Sequence, residues 1–189
     1  MIITPEKFGL KKEYKIHESA GADCFIEAKF QDYFNYKPKS KRQKFADVWV
    51  NDSFGYNIKT SENGNLGGRI CTVAIAKWLC NPDNQLKIIH VHYQNNKGHL
   101  VLTDVREYFI EEIEYTILNQ GKGFLFMKTD NKNKVIRTRE KLARQLWLQE
   151  FQSKYIEFVG NQKNRFDTHA KEFASLTVSS ESNLINFMR

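Results

Sequence analysis

The sequence predicts an α/β domain with a central mixed β-sheet flanked by α-helices. Three observations carry that prediction. The apparent order along the chain is helix, β-hairpin, helix, several strands, long helix. Residues 86–94, L-K-I-I-H-V-H-Y-Q, alternate and are β-branched, the mark of a strand. Neither an internal repeat nor a low-complexity linker interrupts the 189 residues, so 1–189 reads as a single domain with room for a substantial core.

Each element has its own signal. Residues 1–16 are weakly patterned, with a short strand or helical turn at 13–16. Ser19 caps a helix over 20–36, where Ala22, Ile26, Phe30, Tyr33 and Phe34 recur at three- and four-residue steps. Pro38 ends it and opens a basic loop over 37–44. Residues 45–50 and 56–60 are aromatic and β-branched, and the polar run 51–55 between them ends in Gly55, so they form a hairpin. A Gly- and Asn-rich loop leads to a helix over 69–79, stopped by Pro82. Strands follow at 86–94 and 99–104, then an ambiguous stretch, then a hairpin over 113–118 and 123–129. The last long pattern predicts a helix over 139–159 closed by Gly160, with 161–175 a short helix or loop and the end a short strand or tail.

The first hairpin concentrates the chemistry. Pairing Val50 with Tyr56 puts Asp47 opposite Lys59 and Trp49 on the side of Asn57. Side chains alternate across a strand, so Asp47, Trp49, Asn57 and Lys59 share one face. Val48, Val50, Tyr56 and Ile58 share the other, which is the natural core face. A carboxylate, an amide oxygen and an ammonium in one small area can hold a metal ion and activate water beside it. The plainer alternative is a cross-strand Asp47–Lys59 ion pair on a solvent face, contributing ~0.2–1 kcal/mol.

An acidic helix, a strand with Asp, a strand with (Asp/Glu)-x-Lys and a following helix resemble the PD-(D/E)xK nuclease superfamily, most closely its type II restriction endonucleases. The matching residues are Asp47 and the tripeptide Asn57-Ile58-Lys59, within a stretch spanning about 19–79. Ala46 stands where the motif name has Pro, and Asn57 where Asp or Glu is usual. The resemblance implies a restriction-endonuclease-like core and a Mg2+-dependent endonuclease acting on double-stranded DNA. It implies that Asp47, Asn57 and the carbonyl of Ile58 hold Mg2+, that Lys59 handles the attacking water, and that Glu27 of the first helix joins the catalytic set. Such enzymes commonly act as homodimers on palindromic sites. The alternative for Glu27 is a solvated helix residue paired with Lys29 or Gln31.

Charge points the same way. The formal net charge of +7 favours an anionic partner, nucleic acid first. Lys41, Arg42 and Lys44 in the basic loop, Gly68 and Arg69 ahead of the second helix, and Asn161, Lys163 and Arg165 in a loop after the long helix are the candidate DNA contacts. A second basic run covers 128–144. The alternative to a nuclease is a non-catalytic nucleic-acid-binding module with a degenerate site. No apolar run approaches the ~20 residues of a membrane span. The N-terminus lacks the layout of a signal peptide. Cys24, Cys71 and Cys80 are odd in number and lack a C-x-x-C pair, which predicts buried free thiols and a cytoplasmic protein. His90 and His92 share a strand face without a third ligand and read as surface residues.

Overall fold

The strand β1 (Ile2–Ile3), a 3-10 turn (Pro5–Phe8) and the strand β2 (Glu13–Lys15) open the chain in a computed structural model that describes residues 2–17, 21–38, 45–62, 69–118, 124–130 and 135–187. Then come α1 (Ala22–Phe34), β3 (Val48–Asn51), β4 (Phe54–Glu62), β5 (Arg69–Cys71) and α2 (Thr72–Leu79). The chain continues through β6 (Gln85–Asn96), β7 (His99–Phe109), a 3-10 turn (Ile110–Glu112), β8 (Tyr115–Leu118), β9 (Phe124–Met127) and α3 (Arg144–Phe187). It forms two compact units, Met1–Phe151 and Gln152–Arg189.

In the first unit the main sheet runs β1-β7-β6-β4-β3, with β2 also paired to β7. It is mixed: β4 and β6 are parallel and the other pairs antiparallel. A smaller antiparallel sheet runs β5-β9-β8. The predicted mixed sheet with flanking helices is therefore present at the level of fold class.

The helix α1 forms because Ala22, Ile26 and Phe30 fall on one face and are buried. They pack with Val48, Tyr56 and Ile58 of the hairpin and Ile89, Val91 and Tyr93 of β6. Each fully buried Ile or Phe contributes roughly 1.5–3 kcal/mol. Phe34 extends the contact, its ring 5.3 Å from that of Tyr56. Tyr33, predicted in the same stripe, is half exposed and instead donates its hydroxyl to the Lys7 carbonyl. The helix ends at Asn35, whose φ of 40° is the left-handed C-cap that Asn tolerates. Its N-cap is Gly21, with no side-chain capping bond; Ser19 lies outside the described residues.

The opposite face of the hairpin is buried as well. Trp49 meets Trp78 of α2 at 5.2 Å between centroids, and Phe45 meets the same ring at 5.5 Å. That aromatic cluster covers the part of this face that carries Phe45 and Trp49, while Asp47 and Lys59 stay partly exposed. Beyond it, Trp147 is fully buried and stacks on Phe151 at 5.3 Å.

Several sequence expectations are corrected. The predicted helix over 69–79 is the strand β5 followed by α2, because Arg69–Cys71 pairs with β9. Gly160 does not end the last helix: α3 runs to Phe187, and residues 161–175, expected as a separate short helix or a loop, are part of it. A Cβ at Gly160 would meet nothing within 4 Å, so its cost is only the ~1 kcal/mol of a glycine inside a helix. Cys24 and Cys80 are exposed free thiols rather than buried ones. His90 is fully buried, not on the surface.

Candidate active site

The hairpin register differs from the expected one by two residues. Val48, not Val50, pairs with Tyr56, and Asn51 pairs with Phe54 after an irregularity between Trp49 and Asn51. The turn shrinks to Asp52-Ser53, held by the Asn51 Oδ1, which accepts from the Ser53 N–H at 2.9 Å and hydroxyl at 3.0 Å. A shift of two keeps every side chain on its predicted face. It moves Asp47, however, from opposite Lys59 to the level of Asn57 and Ile58.

Asp47 stands one residue before β3. Its N–H donates to the Tyr56 carbonyl at 2.8 Å, and its Oδ2 accepts the N–H of Ile58 at 2.6 Å. The side chain thus caps the β4 edge where the β3 ladder has ended. A short bond of this kind is charge-assisted. Burial raises the Asp47 pKa; the positive charge of Lys59 and the Ile58 N–H pull it down, and the negative charge of Glu27 pushes it up. Glu27 on α1 and Lys59 on β4 therefore act on one carboxylate from two elements. Asp47, Glu27 and Lys59 are each partly buried.

Asn57 is buried at 5 % exposure. Its Nδ2 donates to the Phe45 carbonyl at 2.8 Å, which ties β4 to the turn that leads into Asp47 and β3. Its Oδ1 is buried and has no hydrogen-bond partner. An orphaned buried amide oxygen is a donor suited to a hard cation. Among the described residues, no three His, Cys, Asp or Glu side chains are arranged to hold a metal ion. The oxygens that the resemblance would use are the Asp47 carboxylate, the Asn57 amide oxygen and the Ile58 carbonyl, with Glu27 close enough to act on Asp47. Such an oxygen-only set with few protein ligands matches Mg2+, which keeps several waters.

Glu27 also accepts a hydrogen bond from Gln31 Nε2 at 3.0 Å, one turn along α1. The helix-surface alternative is thus partly realised alongside its electrostatic reach to Asp47. Lys29 pairs instead with Asp32.

Sequence reasoning missed Asp23. It lies one turn before Glu27, and its Oδ1 accepts the Thr60 hydroxyl at 2.7 Å and the Tyr93 hydroxyl at 2.9 Å. This carboxylate fixes α1 to β4 and β6, and so sets where Glu27 stands. No local signal marks it, because Thr60 and Tyr93 lie far along the chain.

Of the candidate DNA contacts, Lys41, Arg42, Lys44 and Gly68 lie outside the described residues. Arg69 is on β5, three residues ahead of α2, so the expected glycine-loop and helix N-terminus arrangement does not include it in the predicted way. Asn161, Lys163 and Arg165 lie on α3 in the second unit rather than in a loop; Lys163 and Arg165 are exposed. In the 128–144 run, Arg137, Arg139 and Arg144 pair with Glu114, Glu150 and Glu111, at 3.3, 2.6 and 2.6 Å.

Asp47 opens onto a cleft of about 250 Å3 between the C-terminal end of α1 and the start of β3. No helix of the described residues is long and apolar enough to cross a membrane. No protein-family model matches the chain, and no curated protein matches it.

Proposed function

We propose that the protein is a Mg2+-dependent endonuclease that hydrolyses phosphodiester bonds of double-stranded DNA, in the manner of a restriction-endonuclease-like core acting as a homodimer. The observation that supports this best is the Asp47 carboxylate, which is partly buried, bonded to the Ile58 N–H, and influenced by both Lys59 and Glu27. A structural ion pair has no need of a second acid close enough to push up the first. A hydrolytic site has, because cation binding relieves the repulsion.

In this reading Asp47 would hold the ion, and the Asn57 Oδ1 and the Ile58 carbonyl would complete the protein's share. Bound Mg2+ supplies Lewis acidity, lowering the pKa of water and offsetting phosphate charge. Lys59, as an ammonium, would orient the attacking water and face the charge that develops on the phosphoryl oxygens, while the water's proton passes to solvent. Glu27 steadies the site from α1.

The second reading is a non-catalytic nucleic-acid-binding module. It is favoured by Asn57, a neutral ligand whose amide nitrogen is committed to Phe45. Incubation with duplex DNA in Mg2+ or EDTA, followed by a gel, separates the two. Discrete fragments that require Mg2+ support the endonuclease. A salt-sensitive mobility shift without cleavage supports the module.

A further inference from the structure

We infer that the cleft beside Asp47 is a subsite for one unpaired nucleobase, seated next to the phosphate that is cleaved. The inference rests on the endonuclease reading of Asp47 and narrows its substrate to DNA that presents an unpaired nucleotide at the cleaved step.

The cleft is lined by Gln31, Asn35, Tyr36, Lys37, Asp47 and Trp49, among others. At about 250 Å3 it falls below the ~300–1,000 Å3 of sites that bury whole small molecules. It suits a single ring system. Two side-chain amides, Gln31 and Asn35, offer donors and acceptors together, the pattern that reads base edges. Tyr36, partly exposed, offers ring surface for stacking, and the buried Trp49 forms part of the cleft wall. Lys37 adds a cation for the neighbouring phosphate.

The parts are held in place. Trp49 is buried and wedged against Phe45 and Trp78. The Tyr36 hydroxyl is bonded to Asp52 in the hairpin turn. Gln31 donates to Glu27, which links the cleft to the acidic side of the site. Asn35 is fixed by its left-handed backbone and by its N–H bond to the Gln31 carbonyl at 2.9 Å.

In a matched duplex the base edges are paired and the faces stacked, so such a cleft stays empty of base. Taking a base out of the stack costs least at a mismatch or in a single strand. The cleft therefore confers a preference for an unpaired base.

The test is binding, without cleavage. A duplex carrying 2-aminopurine at a single mismatch is titrated with the protein in Ca2+, beside the same probe in a matched duplex. The expected result is about tenfold tighter binding of the mismatched probe, with its fluorescence altered by stacking. Asn35→Gly keeps the left-handed C-cap and removes the amide; Gln31→Ala removes the other. Each should erase most of the preference while leaving matched-duplex binding and its salt dependence unchanged. Equal affinity of the wild type for the two probes, or a preference untouched in both variants, overturns the inference. A preference in a protein that never cuts DNA in Mg2+ would overturn the endonuclease reading and leave the subsite standing. Cutting without preference would do the reverse.

Discussion

The Asp47 carboxylate accepts the backbone N–H of Ile58 at 2.6 Å, and so seals the edge of β4 with a side chain that the proposed chemistry also needs. One group serves both ladder and site. The two roles respond differently to substitution.

Asp47→Asn keeps an oxygen that can accept from Ile58 but removes the charge. Burial raises the pKa of Asp47 in the folded chain, so the fold holds that proton more tightly than the unfolded chain does. Ionisation therefore withdraws stability as pH rises from the ordinary value of 3.8 through the raised one. At neutral pH the Asn variant should melt at or above the wild-type temperature, with a flatter acid-side dependence. Its Mg2+-dependent cleavage should fall by about 100-fold or more. A variant that melts well below wild type would show that the charge supports the fold.

Gly55 is demanded by packing. A Cβ there would lie 2.8 Å from the Ala46 Cβ and 3.1 Å from the Trp49 Cε3. Gly55→Ala should cost ~1–3 kcal/mol in denaturant unfolding, because backbone and a wedged indole must shift together. An unchanged midpoint would mean that the Trp49 cluster is looser than described.

The fold class and the faces of the hairpin at the candidate site were legible in the sequence, for identifiable reasons. Strand alternation is insensitive to a slip of two, so the faces of Tyr56, Ile58, Asn57 and Lys59 followed from pattern alone. The register did not, because Asn51 closes a two-residue turn after the irregularity beyond Trp49, where a five-residue loop ending in Gly55 reads as naturally. Arg69–Cys71 looked helical because its partner β9 lies more than fifty residues downstream, beyond any local signal. His90 looked like a surface residue because its partners, Ser61 and His92, include a hydroxyl on another strand. Asp23 was invisible as an anchor until Thr60 and Tyr93 were brought to it.

His90 sets an acid limit. Burial, then the nearby His92 and Arg106, lower its pKa from 6.5 to about 3. Its Nε2 lies 2.9 Å from the Ser61 hydroxyl. The unfolded chain takes up the proton first, so stability falls as pH drops from 6.5 towards about 3. The slope from this residue is at most ~1.4 kcal/mol per pH unit. Urea unfolding across that window should show the slope in wild type and a shallower one in His90→Gln; parallel curves would remove His90 as the cause.

Asp23→Ala leaves the Thr60 and Tyr93 hydroxyls without their shared acceptor. The expected loss is ~1–3 kcal/mol of stability. Asp23→Asn, which still accepts hydrogen bonds, should recover most of it. If Ala and Asn variants are equally stable, the carboxylate does not tie α1 to the sheet.

The central claim is that Lys59 and Asp47 act on one water. Single-turnover cleavage of duplex DNA in Mg2+ by Lys59→Ala, with binding measured in Ca2+, tests it most directly. Lys59→Ala should bind DNA nearly as well as wild type and cut it at least about 100-fold more slowly. Cleavage at the wild-type rate would contradict the account.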